Sequence, residues 1–134
     1  QRCDPCGNAQ IDGLQFMDID LAMAANSVIL TTERIVSNDQ IRRAPDQTKI
    51  PFFCVDAVVE TPYGAAPHEC YGLYEPFFPH LDDYAARTKD PVQGARQYLE
   101  EFYYGPKSWT DYLAKLGMAE VLDACRRGRS VYND

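Results

Sequence analysis

The sequence predicts an α/β fold with its strands first and its helices last, and three observations carry that prediction. A small-residue helical run at 21–25 is followed at once by the β-branched run Ser27-Val28-Ile29-Leu30-Thr31-Thr32. A second apolar stretch, from Ile50 to Val59, feeds a loop built of proline and glycine. From Leu81 onward the apolar spacing becomes that of helices with capping residues at their starts.

Gly7 and Gly13 bracket Ala9, Gln10 and Ile11, which suits a short strand between two turns. After Asp18-Ile19-Asp20, the run Leu21-Ala22-Met23-Ala24-Ala25 favours one or two helical turns closed by Asn26. Residues 27–32 have the composition of a strand buried on both faces. Ser37 and Asn38 offer N-cap oxygens, Arg42 and Arg43 put cations at the other end, and Pro45 stops the element, so 37–43 reads as a short helix. Residues 50–59 read as a central strand, interrupted only by Pro51 and Asp56. The segment Thr61-Pro62-Tyr63-Gly64-Ala65-Ala66-Pro67 then reads as an irregular loop at a strand end, where α/β sheets place ligands.

In the second half, Asp90-Pro91 predicts an N-cap and first-turn proline, with Val92, Ala95, Leu99 and Phe102 on one face and Gly105 as the stop. Ser108 and Asp111 resemble a capping box for a helix that Gly117 ends. A last short helix is expected from about Met118 to Cys125, with Arg126-Arg127-Gly128-Arg129 as a polar, frayed tail. No internal repeat, low-complexity tract or linker interrupts the chain, so residues 1–134 read as one domain.

Composition narrows the function. With 134 residues, 46% hydrophobic and 12% aromatic, the chain is globular rather than disordered. A net charge of -7 argues against nucleic acid or an anionic membrane as partner, because both demand clustered positive charge. No apolar run approaches the roughly 18 residues that span a bilayer. Five scattered cysteines, an odd number, do not make a disulfide framework and fit a reducing cytoplasm. The chain starts at Gln1 with no methionine, which suggests processing or a segment lacking its upstream part.

Several constellations invite chemistry. Cys3 and Cys6, with two of Cys54, His68 and Cys70, could complete four zinc ligands on paper, but a second tight pair is missing and simple thiols are the better reading, with no metal expected. No dinucleotide fingerprint, phosphate loop or nucleophile elbow occurs, and only His68 and His80 could assist a nucleophile. Asp56 reads as a strand-end carboxylate satisfied by backbone or by an arginine, ahead of a ligand role. Arg34, Arg42, Arg43 and Lys49 form a loose cationic group whose plainest reading is a solvated face. His68, beside the loop, could donate to a carboxylate or thioester oxygen or could simply fix local backbone, and both readings stand.

Two separated stretches resemble a known family. Arg2-Cys3-Asp4-Pro5-Cys6-Gly7-Asn8-Ala9-Gln10-Ile11 resembles the R-A-D-x-x-G-N-x-Q-I segment of glutaconate-type A subunits of the family I coenzyme A transferases. The run from Val55 through Pro67, followed by Cys70-Tyr71-Gly72, resembles their V-D-A-V-V-x-x-P-Y-G-A-H-P and C-Y-G segments. Ile41-Arg42-Arg43 and Tyr103-Tyr104-Gly105-Pro106-Lys107 extend the likeness over nearly the whole chain. Cys3 and Cys6 fall where the family has no cysteine, and Ala66 stands where it often has histidine, with His68 two residues further on.

The resemblance implies an open, mainly parallel sheet with flanking helices and a helical C-terminal part, and it makes the chain the C-terminal part of a larger A subunit. It implies a transferase that moves coenzyme A between an acyl-CoA and a short or branched carboxylic acid through a glutamyl-CoA intermediate, with coenzyme A as substrate and no cofactor. The nucleophilic glutamate would lie outside this chain, since none of Glu33, Glu60, Glu69 or Glu75 matches its setting; no catalytic residue is assigned here. A B subunit would complete a hetero-oligomer, without which this chain would be inactive. Tyr63, Gly64, Ala65 and His68 are the expected substrate-binding residues. A ring-opening CoA-thioester hydrolase and a noncatalytic binding module are the alternatives.

Overall fold

The computed structural model describes residues 1–132, with side chains described to residue 129. It divides into two compact units, Gln1–Gly64 and residues 65–134.

The first unit is built on short strands. β1 (Arg2–Cys3) and β2 (Ala9–Gln10) pair antiparallel, Cys3 opposite Ala9. The hairpin between them closes on Asp4, whose main-chain oxygen accepts from Gly7 N at 3.0 Å. α1 (Asp18–Ala24) carries Asp18 and Asp20 in its first turn, where the helix dipole favours negative charge. β3 (Ile29–Thr32) and β4 (Arg34–Ile35) follow, then α2 (Asn38–Arg42). Ser37 and Gln40 cap α2 reciprocally, each side chain taking the other's backbone N–H, as the sequence pattern predicts. β5 (Thr48–Ile50) and β6 (Ala57–Glu60) complete the unit.

One sheet has the order β4-β1-β2-β5, with β1 and β4 parallel and the other two ladders antiparallel; a second sheet pairs β3 and β6 in parallel, Ile29 opposite Ala57. The α/β class is thus as expected, with parallel and antiparallel ladders mixed. Cys3, Ala9 and Ile50 are the buried centre of the unit, and Leu30, Val55 and Val58 pack against them.

Two strand expectations change. Residues 50–59 are not one strand: Pro51 has no N–H for a ladder, and the chain turns over Phe52–Cys54, with Cys54 N donating to Pro51 O at 3.0 Å. β6 begins only after Asp56, whose Oδ2 accepts from Val28 N at 2.8 Å, the backbone-satisfied role read for it. Residues 27–32 are not buried on both faces either, because β3 has a single neighbouring strand and Ile29 remains 70% exposed.

The second unit is helical. α3 (Phe78–Arg87) starts earlier than Leu81, with Pro79 in its first turn. α4 (Gln93–Leu99) is capped by Asp90, whose Oδ1 accepts from Val92 N and Gln93 N, and it continues through a π-helical turn, Glu100–Tyr104, to Gly105. Its inward face is Tyr98 and Phe102; Val92, expected on that face, is exposed. α5 (Trp109–Leu116) has the Ser108 cap, its hydroxyl accepting from Asp111 N at 3.1 Å.

α6 (Met118–Tyr132) runs well beyond Cys125. The expected frayed tail is helical because its charges are paired: Asp123 binds Arg126 and Arg127, three and four residues on. Arg127 also donates to Pro76 O at 2.9 Å and lies over the Phe78 ring. The core of this unit is aromatic, with Tyr74, Phe77, Tyr98 and Phe102 buried beside Leu116, Val121 and Ala124.

Candidate functional site

The expected substrate-binding residues sit on the segment that follows β6, and the division between the units falls among them. Tyr63 and Gly64 close the first unit; Ala65 and His68 open the second. Each pair is held by its own unit.

In the first unit, β6 ends as Thr61 N donates to Thr32 O at 2.8 Å. Glu33, the single residue between β3 and β4, then turns its carboxylate onto two successive amides, accepting from Tyr63 N at 2.7 Å and Gly64 N at 3.1 Å. Glu60 makes the opposite connection, its carboxylate accepting from Ile35 N at 2.8 Å. Tyr63 has φ 63°, a left-handed conformation that a residue with a side chain adopts only under constraint. Gly64 is required for a different reason: a Cβ there would lie 2.8 Å from both Thr61 O and Thr61 Oγ1. The hydroxyl of Thr61 is buried without a hydrogen-bond partner among the described residues.

In the second unit, Ala65 N donates to the phenol oxygen of Tyr74 at 3.0 Å, and Tyr74 is 2% exposed. The Ala66-Pro67 peptide is cis, and Pro67 O accepts from Phe77 N at 2.9 Å. His68 N donates to Ala65 O at 2.9 Å, which brings those two expected residues together. The His68 side chain is exposed at the rim of a cavity of about 370 Å³ walled by Leu81, Tyr84, Ala95, Tyr98, Leu99 and Tyr103.

Behind that cavity lies the other histidine. His80 is buried, shares a 2.8 Å hydrogen bond between its Nε2 and Tyr98 Oη, and meets Phe102 edge-on at 4.6 Å. Burial lowers its pKa, opposed by the charge of Glu120, and burial pushes the Tyr98 phenol up to about 12. Both therefore stay neutral at pH 7, and the pair orders a packed core.

The remaining candidates separate. Cys3 is buried and its thiol pKa is raised, mainly by burial, while Cys6 is exposed. Among the described residues no three His, Cys, Asp or Glu side chains are grouped to hold a metal ion. Arg34, Arg42 and Arg43 are exposed, as the sequence suggests, whereas Lys49, read with them, is half-buried and donates to Asp46 O at 3.3 Å. Glu33 is the contributor that sequence reasoning missed. Its partners lie 30 and 31 residues away, so no local spacing marks it.

Comparison with known proteins agrees with this architecture. The chain is 39% identical over 125 residues to the A subunit of glutaconate CoA-transferase from Acidaminococcus fermentans, covering 92% of this chain and 38% of that protein. It is 27% identical over 120 residues to the A subunit of 3-oxoadipate CoA-transferase from Pseudomonas knackmussii, 87% of this chain and 40% of that one. An uncharacterized protein of Archaeoglobus fulgidus is 43% identical over 126 residues, 94% of this chain and 28% of that one. The crystal structure of the Acidaminococcus fermentans glutaconate coenzyme A-transferase superposes with a TM-score of 0.87 at 40% identity, covering 92% of this chain and 39% of that chain. The chain therefore spans two fifths or less of the length of these curated relatives. No protein-family model matches it.

Proposed function

We propose that this chain, which resembles the A subunits of family I coenzyme A transferases along 92% of its length and shares their fold, supplies one wall of a site where coenzyme A moves between an acyl-CoA and a carboxylic acid. The observation that carries the proposal is the similarity in sequence to two proteins named as CoA-transferase A subunits, and in fold to the glutaconate CoA-transferase structure.

The chemistry divides one hard step into easier ones. A glutamate carboxylate attacks the thioester carbonyl, the coenzyme A thiolate leaves, and an acyl-glutamyl anhydride forms. The thiolate then attacks the glutamyl carbonyl and releases the acid, leaving a glutamyl-CoA thioester; the acceptor acid runs the sequence backwards. That glutamate belongs to a partner chain in this proposal, completing a hetero-oligomer. Support comes from the carboxylates here: Glu33 and Glu60 are engaged with backbone amides of their own unit. We assign substrate contact to Tyr63, Gly64, Ala65 and His68. A cytoplasmic location goes with this reading, supported by five cysteines that remain thiols; among the described residues no helix is long and apolar enough to cross a membrane.

The test uses the natural polypeptide together with any chain that copurifies with it. Incubation with acyl-CoA should leave a glutamyl-CoA thioester trapped by borohydride or hydroxylamine, and exchange should need a carboxylic acid. Thiol release without an acceptor would make the protein a hydrolase. No partner and no affinity for coenzyme A would make it a binding module.

A further inference from the structure

We propose that Glu33 is a positioning residue for this site: its carboxylate occupies the paired amides of Tyr63 and Gly64 and so fixes the loop that faces the substrate. The inference rests on the reading of that loop as a substrate wall. Two consecutive N–H groups pointing the same way make an anion-binding concavity, and here the anion is part of the chain. Tyr63 stands at φ 63°, and the carboxylate bonds the amides on both sides of its Cα. Glu33 is itself held at a fixed place, because Thr61 N binds Thr32 O on one side of it and Glu60 binds Ile35 N on the other. A glutamine would turn an NH2 group toward one of the two amides, and an aspartate is one methylene short. With both N–H groups engaged by Glu33, Tyr63 and Gly64 meet substrate through the phenol side chain and the Cα surface rather than as oxyanion donors.

The test compares wild type, Glu33→Gln and Glu33→Ala in the natural polypeptide with its partner chain. Glu33→Ala should lower kcat/KM roughly 100-fold, the size of effect that a displacement of about 1 Å at a reacting centre produces, and Glu33→Gln should fall between. Nitrite, a planar two-oxygen anion that is no acceptor for coenzyme A, should restore activity to Glu33→Ala about tenfold and leave wild type unchanged, an effect that a general loss of folding would not allow. Amide hydrogen exchange at Tyr63 and Gly64 should speed up in Glu33→Ala and slow again with nitrite. Unchanged kcat/KM in Glu33→Ala alongside exposed amides overturns the positioning role alone, as does a loss of activity that nitrite cannot restore. A wild-type complex with no coenzyme A exchange overturns the functional reading and this role with it, while the amide measurement still reports whether the clamp exists.

Discussion

Asp4 has no exposed surface, yet four N–H groups rather than a cation balance its charge. Oδ1 accepts from Cys6 N at 3.0 Å and Asn8 N at 2.9 Å; Oδ2 accepts from Asn8 Nδ2 at 2.8 Å and Asn38 Nδ2 at 2.6 Å. Burial alone would raise its pKa, but these bonds outweigh it and hold the carboxyl below the ordinary aspartate value. The sign follows: a depressed carboxyl stabilises the fold fully above the unfolded value of about 3.9 and loses that stabilisation as the pH falls through the lower folded value. Asp4→Asn must turn an NH2 group toward donors, and we expect it to cost roughly 2–3 kcal/mol at pH 7. Urea titrations of both proteins check this. Their midpoints should converge as the pH drops from 5 to below 3, and a constant gap would exclude the carboxylate as the cause. The Arg2-to-Ile11 segment was recognisable in the sequence as a pattern, whereas this role of Asp4 was not, because Asn38 stands 34 residues away.

Helix α6 packs through a glycine. A Cβ at Gly128 would sit 2.6 Å from Tyr74 Cα and 2.8 Å from Tyr74 N, backbone atoms with no rotamer to yield. Gly128→Ala should therefore destabilise, an overpacking cost of about 1–3 kcal/mol outweighing the gain of about 1 kcal/mol that alanine normally brings to a helix. A urea midpoint lower than wild type, with weaker protection of the Ala65 amide that donates to Tyr74, is the expected result; a more stable variant would show that α6 can rise off the turn at no cost. Elements governed by neighbours in sequence were legible: the Ser37 and Ser108 caps, the Asp90 cap and the stops at Gly105 and Gly117 are local hydrogen-bond chemistry. Elements governed by distant packing were not. Polar Arg126 and Arg127 suggest fraying although Asp123 pairs with both from within the helix, and the contacts of Arg127 with Pro76 and Phe78 are too distant in sequence to be read. The run at 50–59 differs for a local reason instead: its apolar composition suggests one strand, but Pro51 lacks the ladder amide and the chain turns directly after it. The loop at 61–67 was visible from its prolines and glycine, but its anchors, Glu33 and Tyr74, come from elsewhere in each unit.

Across the molecule the two units are unequal in how well they cover their apolar side chains. The helical unit closes an aromatic core, while the first unit buries only Cys3, Ala9, Ile41 and Ile50 among its apolar residues. Leu14, Phe16, Met17, Leu21, Met23 and Ile29 are each more than 60% exposed there. Leu21 and Ile29 also line an open groove of about 510 Å³ with Ala22, Ala25 and Leu30. Exposed apolar surface on this scale marks a binding face or an aggregation hazard, and a net charge of -7 works against self-association. The 134-residue chain on its own should accordingly bind the apolar dye 1-anilinonaphthalene-8-sulfonate while keeping its helical circular dichroism. Replacing Leu21 by glutamine and Ile29 by threonine should at least halve the dye fluorescence. Because both side chains already face solvent, stability should change by less than about 0.5 kcal/mol. A chain that binds no dye, or a double variant that unfolds at markedly lower urea, would mean that these side chains are packed inward and that the groove is closed in solution.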